Sequence, residues 1–227
     1  MSYAFLILFF FILMYAYILY PTRLKKQASG KTLQFAAYSI QDNLPAVNIV
    51  IPVCNEEKVI EAKLNSILQS DYPNDKIQNF LGLDNCTDST KSIIESKFST
   101  DNIKVIEFTE RQGKPNVLNQ IIEKQISNDD SILILTDANV IFTKTTIFEL
   151  IKYFKDEQIG LVDSTIKAQV STNKNEMDYW DYETDIKQHE SLVYGIIPGP
   201  SGACYAIRRN LYSTVPANFL VDDFYIG

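Results

Sequence analysis

Between residues 47 and 166 the apolar positions change rhythm, from short unbroken runs to a spacing of three and four and back again. VNIVIPV (47–53) is a β-branched run with the composition of a buried strand. After it, Val59, Ile60, Leu64, Ile67 and Leu68 share one helical face. IQNFLGL (77–83) reads as a second strand, and Ile93, Ile94 and Phe98 mark a second helix. IKVIEF (103–108) is a third strand, followed by a helical stripe at Val117, Leu118, Ile121, Ile122 and Ile126. SILILT (131–136) is a fourth strand. Ile147, Phe148, Ile151 and Phe154 mark a fourth helix, whose first turn offers Thr146 and Glu149 as a capping box. IGLVDSTI (159–166) closes the series as a fifth strand. This alternation predicts an α/β fold with a mostly parallel sheet and helices on both faces.

The N-terminus follows a different pattern. Ser2 to Tyr20 carries no charge, and as a helix it would be about 28 Å long, close to the hydrocarbon thickness of a bilayer. Tyrosines gather at its C-terminal end, where an interface would lie. No basic residue precedes it, unlike a signal peptide, and Arg23, Lys25, Lys26 and Lys31 follow it. The positive-inside rule then predicts a single-pass anchor in the cell membrane with the chain after Tyr20 in the cytoplasm. Residues 21–45, polar and closed by Pro45, read as a juxtamembrane connector, and 46–227 as the globular domain.

Composition narrows the class. The 227 residues are 46% hydrophobic and 22% charged, a globular balance. The net charge of −7 argues against nucleic acid as a partner. Cys54, Cys86 and Cys204 have neither metal-ligand spacing nor the even count of a disulfide framework, so they are expected as reduced thiols. His189, the only histidine, lies in a charged stretch (175–194) that reads as helical.

The polar residues follow the strands: CNEE (54–57), DNCTDST (84–90), ERQGK (110–114) and DAN (137–139). In open α/β sheets ligands bind beyond the carboxyl ends of the strands. Glu57, Thr87 and Asp88 equally suit helix capping. Asp84 and Asp137 lie directly against their strands, too early for an ordinary cap. Asp137 and Asn139 offer two hard oxygen ligands at a spacing that suits Mg2+ or Mn2+ completed by phosphate oxygens. Arg111 and Lys114 supply positive charge, with Gly113 between them, and a diphosphate fits this arrangement. QGKPN lacks the first glycine and the Ser/Thr of a P-loop, which disfavours a kinase or NTPase. Asp84 suits hydrogen bonds to a nucleobase or ribose. Asp222 and Asp223 form a second acidic cluster that suits a general base or a helix cap. GPSGACYAIRR (199–209) places small residues before a short strand, as a ligand approaching backbone requires, or an ordinary turn.

VNIVIPVCNEE, LDNCTDST, RQGKPNVLN, LTDAN, GACYAIRR and DDF stand in the order and spacing of family 2 glycosyltransferases. The chain resembles membrane-anchored bacterial members related to polysaccharide synthases. The resemblance implies a GT-A fold and inverting transfer from a nucleotide sugar, commonly a UDP-sugar, to a saccharide or lipid-linked acceptor in cell-surface polysaccharide synthesis. It implies nucleoside binding by Glu56 and Asp84, base or diphosphate contact by Lys114, and a metal at Asp137, with Asn139 standing where the family's second aspartate stands. It implies Asp223 as catalytic base, with Asp222 replacing the commoner glutamate, and an acceptor side that includes Gly202, Ala203 and Asp222. Relatives continue beyond D-D-F with Q-x-x-R-W and further membrane helices. Against that pattern the chain ending at Gly227 is expected to bind donor and to transfer slowly. The competing expectations are a non-catalytic donor-binding remnant or partner subunit and, third, a sugar-phosphate nucleotidyltransferase.

Overall fold

A computed structural model describes residues 2–98, 100–167, 174–216, 219 and 221–226. It divides into two compact units, residues 35–164 with 199–227, and residues 1–34 with 165–198.

The first unit holds a six-stranded sheet in the order β3-β2-β1-β4-β6-β5. Its strands are β1 (Val47–Val53), β2 (Ile77–Asp84), β3 (Ile103–Phe108), β4 (Ile132–Thr136), β5 (Leu161–Asp163) and β6 (Cys204–Arg208). β1 pairs in parallel with β2 and β4, and β2 with β3, so the mostly parallel α/β sheet is as expected. β6 then runs antiparallel to both β4 and β5. The antiparallel turn matters for placement. Thr136 at the end of β4 pairs with Cys204 at the start of β6, and Asp163 at the end of β5 pairs with Tyr205. The carboxyl ends of five strands and the amino end of the sixth therefore meet at one sheet edge.

Alternation along the strands divides the core. Ile49, Ile51, Ile132 and Ile134 face one side, under Ile60, Leu64 and Ile67 of α3 (Ile60–Leu68), Ile94 of α4 (Thr90–Lys97) and Ile147 and Ile151 of α6 (Thr146–Ile151). Val50, Phe80, Leu133 and Leu135 face the other, under Val117, Leu118, Ile121 and Ile122 of α5 (Lys114–Gln125). The last described segment is a short helix, α8 (Asp222–Ile226). The capping box expected at Thr146 and Glu149 does not form. Thr146 Oγ1 instead accepts the Thr143 amide, and the Glu149 carboxylate pairs with Lys152.

In the second unit α1 (Ser2–Met14), a π-helical turn (Tyr15–Leu19) and α2 (Tyr20–Ala28) form one apolar helix from Tyr3 to Ala28, long enough to cross a membrane. It extends eight residues beyond the apolar run ending at Tyr20. Phe5, Phe9 and Phe10 are each more than half exposed. α7 (Lys174–Tyr194) packs on α2, where Leu24 and Ala28 are buried and the Tyr20 hydroxyl donates to Glu190 Oε1 at 2.5 Å. His189 bonds the Asp185 carbonyl within α7.

Candidate active site at the carboxyl edge of the sheet

Two asparagines redirect the chain as it leaves the sheet. Asn55 after β1 and Asn85 after β2 adopt left-handed conformations, φ 57° and 53°, which asparagine tolerates better than most side chains. The Asn55 side chain then accepts the Thr87 amide at 2.8 Å. Asp88 accepts the amides of Glu57 and Thr90, and Glu57 accepts that of Ser89. These residues fasten the first two loops together: Asp88 and Glu57 accept amides at the start of α4, while Thr87 serves only as the donor to Asn55.

Asp84 is 3% exposed and organises the third loop. Its carboxylate accepts the amides of Gln112 (2.6 Å) and Gly113 (3.0 Å) and pairs with Arg111 Nε at 3.2 Å. Arg111 also contacts Cys54 Sγ. Gly113 has φ 80°, a conformation that favours glycine, and it immediately precedes α5 as its N-cap. Asp84 is thus a loop anchor, and a nucleoside bound there would share it with three existing donors.

Lys114, the first residue of α5, stands at the centre. Its Nζ donates to Asp137 Oδ1 and to the Gly202 carbonyl, both at 2.8 Å. The Asp137 amide donates to the Ala203 carbonyl at 3.0 Å. Lys114, Asp137, Gly202 and Ala203, read separately from three segments, are therefore one cluster. Asn139 is exposed in the turn two residues after Asp137.

Five carboxyl groups are linked electrostatically here, with Asp137 common to both sets. Burial pushes the half-buried Glu56 carboxyl up, and Asp137 and Asp88 push it further. Burial likewise raises Asp222, against the pull of Lys114 and with Asp223 and Asp137 adding to the rise. Asp222 is 6% exposed, and its Oδ2 is buried without a hydrogen-bond partner. Asp223 is half-buried, its Oδ1 accepting the Phe224 amide. A Cβ on Gly202 would lie 2.5 Å from Asp223 Oδ2, so Asp223 rests directly on the 199–202 loop. Asp223 and Phe224 are thus seated on this loop, Phe224 against Gly199.

Three supporting residues escaped sequence reasoning. Asp163 Oδ1 accepts the Ser201 amide at 2.8 Å and so holds the loop carrying Gly202. Buried Asn119 of α5 donates to the Val215 carbonyl and accepts from the Val215 amide and the Tyr212 hydroxyl, holding the segment that leads to α8. Lys63, fully buried in α3, donates to Thr136 and Val140 on either side of the D-A-N turn. A signal existed for two of them: Asn119 and Lys63 each interrupt an apolar helical stripe.

Among the described residues no three His, Cys, Asp or Glu side chains gather as a ready-made metal cage. The arrangement suits a different mode of cation binding. One carboxylate and one exposed amide supply two oxygen ligands and leave the remaining positions to phosphate and water. The carboxylates that gather around Asp137 also give a dianionic ligand reason to arrive with a cation. The residues present therefore fit Mg2+ or Mn2+.

Comparison with known proteins identifies the family and the fold. The profile described as Glycosyl transferase family 2 matches residues 48–215. The chain is 29% identical over 126 residues to the beta-monoglucosyldiacylglycerol synthase of Nostoc sp., covering 54% of this chain and 26% of that protein. It is 30% identical over 125 residues to the probable glycosyltransferase YdaM of Bacillus subtilis, covering 52% and 29%. Mannosyltransferase PcManGT from Pyrobaculum calidifontis, solved in complex with GDP-Man and Mn2+, superposes with a TM-score of 0.78 at 25% identity, over 95% of this chain and 61% of that one. The chain spans less than two thirds of the length of each of these relatives.

Proposed function

The chain belongs to glycosyltransferase family 2, and from that premise we propose that it transfers a sugar, with inversion, from a nucleotide sugar to a hydroxyl of a saccharide or lipid-linked acceptor. The observation that carries this reading is the position of Lys114. Its ammonium joins the Asp137 carboxylate to the Gly202 carbonyl at the carboxyl edge of a mostly parallel sheet, with Glu56, Asp222 and Asp223 around it.

Asp137 and Asn139 would hold a divalent cation, which would supply stabilisation of negative charge on the leaving diphosphate. Asp84, with the Arg111–Gly113 loop it anchors, and Glu56 receive the nucleoside. Lys114 offers the diphosphate a positive charge. Asp223 takes the proton from the acceptor hydroxyl, for which it must come within about 3 Å of that oxygen. The hydroxyl attacks the anomeric carbon from the face opposite the nucleotide, and the configuration inverts. Gly202 and Ala203 leave room for the acceptor against the backbone, with Asp222 behind. The donor is a UDP-sugar by family resemblance, and the PcManGT complex with GDP-Man makes GDP the second nucleotide to test.

The exposed apolar helix is read as a single-pass anchor in the cell membrane, with residues 46–227 as a cytoplasmic catalytic domain. Its uncovered phenylalanines support this, since a bilayer is the environment that buries them on all sides.

Calorimetry tests the site. UDP is expected to bind about tenfold or more tightly with Mn2+ than without, and Asp137→Ala to abolish the difference. Equal affinity of the unmutated protein with and without metal, for UDP and GDP alike, overturns the metal-bridged diphosphate.

A further inference from the structure

Helix α3 lies beneath the turn that carries Asp137 and Asn139, and hydrogen bonds fasten the two in order. Lys63 Nζ donates to Thr136 Oγ1 at 2.9 Å and to the Val140 carbonyl at 2.5 Å. One turn on, Ser66 Oγ accepts the Phe142 amide at 3.1 Å. Beyond the helix, Ser70 Oγ and the Asp71 amide both donate to the Lys144 carbonyl. Ser66 and Ser70 hold the strand of chain that leaves the turn. Lys63 alone among these bridges it, because Thr136 and Val140 are the residues on either side of the Asp137–Asn139 segment.

The partners identify the charge state that suits this place. A lysine ammonium has three protons to donate and accepts nothing. The Val140 carbonyl accepts, and the Phe142 ring lies under Nζ at 3.7 Å from its centroid, presenting its negative face. The Thr136 hydroxyl is free to accept, since its own proton can point to the Asp137 carbonyl at 3.4 Å. Three acceptors meet three donors. Burial opposes the charge and pushes the Lys63 pKa down to about 7, while Cys204 and Asp137 draw it back up. A buried lysine is costly, and a methionine would fill the same space without that cost. The cost is consistent with a task that packing alone cannot do.

Resting on the family reading above, we propose that Lys63 is a positioning residue for the cation–diphosphate site: it braces Thr136 to Val140 from below and so sets the aim of Asp137 and Asn139. It touches neither donor nor acceptor and acts through the turn.

The test uses the full chain, UDP and Mn2+, with two readouts. The first is the ratio of UDP affinity with and without Mn2+. The second is amide hydrogen exchange over residues 137–142 in metal-free protein. Lys63→Met is expected to reduce the affinity ratio about tenfold, the usual scale for groups that orient ligands, and to speed exchange in the turn while β4 stays protected. Thr136→Val removes one end of the brace with a smaller packing change and is expected to act in the same direction, which keeps the proposal testable if Lys63→Met does not fold. Ser66→Ala loosens the same segment outside the bridged span and is expected to leave the ratio within about twofold, well inside the scale of a ligand-orienting loss. The proposal is overturned if Lys63→Met or Thr136→Val, folded, keeps the unmutated ratio and exchange, or if Ser66→Ala loses the ratio equally. Absence of any metal effect in the unmutated protein would instead defeat the family reading of the site, while the exchange readout would still decide the brace.

Discussion

At the scale of single residues, the strongest consequence belongs to Asp222. Its carboxyl is buried, one oxygen lacks a partner, and its pKa is raised chiefly by burial. A group whose folded pKa lies above its unfolded value contributes stability that is complete below the unfolded pKa, about 4, and is lost as pH rises through the folded one. At neutral pH the ionised carboxylate is therefore a burden. Asp222→Asn, neutral throughout, is expected to raise the melting temperature at pH 7, by an amount that shrinks as pH falls and the native carboxyl takes up its proton. A gain independent of pH would show that burial of charge is not the cause. Residues of this kind divide sharply in what the chain makes legible. Asp84, Lys114 and Asp137 stand out because each adjoins a strand or a glycine turn. Lys63, Asn119 and Asp163 do not, because their meaning lies in partners 73, 96 and 38 positions away. An interrupted stripe marks a buried polar side chain, and only the fold says what it holds.

At the scale of elements, two glycines make opposite predictions. Gly82 in β2 lets α5 lie close: an added Cβ would fall 2.3 Å from Val117 Cγ1 and 2.8 Å from Ile121 Cδ1. Gly82→Ala overpacks that contact and is expected to cost about 1–3 kcal/mol, measured by denaturant unfolding. Gly202 opens a space that Asp223 fills, at the surface where α8 meets the loop. Gly202→Ala is expected to lower sugar transfer by about a hundredfold through displacement of Asp223 while metal-dependent UDP binding persists. Loss of both together would mean that the loop, not the carboxylate, had been disturbed. The central strands β1, β2 and β4 were legible almost to the residue, because strands buried on both faces read as unbroken apolar runs, and the edge strand β3 by its β-branched residues. β5 is shorter than its apolar run suggests, since it lies at the sheet edge and pairs only with β6. The missing capping box has a local cause. Thr143, Thr145 and Thr146 lie together, and their hydroxyls bond one another and the Thr143 amide. Spacing alone does not say which of several adjacent caps wins.

At the scale of the whole molecule, the anchor reading makes a labelling prediction. Cys54 and Cys86 are half-buried and Cys204 is buried. If the chain after the apolar helix is cytoplasmic, a membrane-impermeant maleimide is expected to label Cys54 in inverted vesicles and not in spheroplasts. The reverse pattern would put the site on the side without nucleotide sugars. The strand order carries one more consequence, for the sequence of events as the chain leaves the ribosome. β1, β2 and β3 are neighbours both along the chain and in the sheet, so this half can pair as it emerges. β4 inserts on the far side of β1, and its outer edge stays bare until β6 arrives some seventy residues later. Closing such a span costs conformational entropy before any contact returns it, and an unpaired apolar edge is a template for association with other chains. ILILT is that edge. Nascent chains stalled before β6 are accordingly the form of this protein most in need of a chaperone.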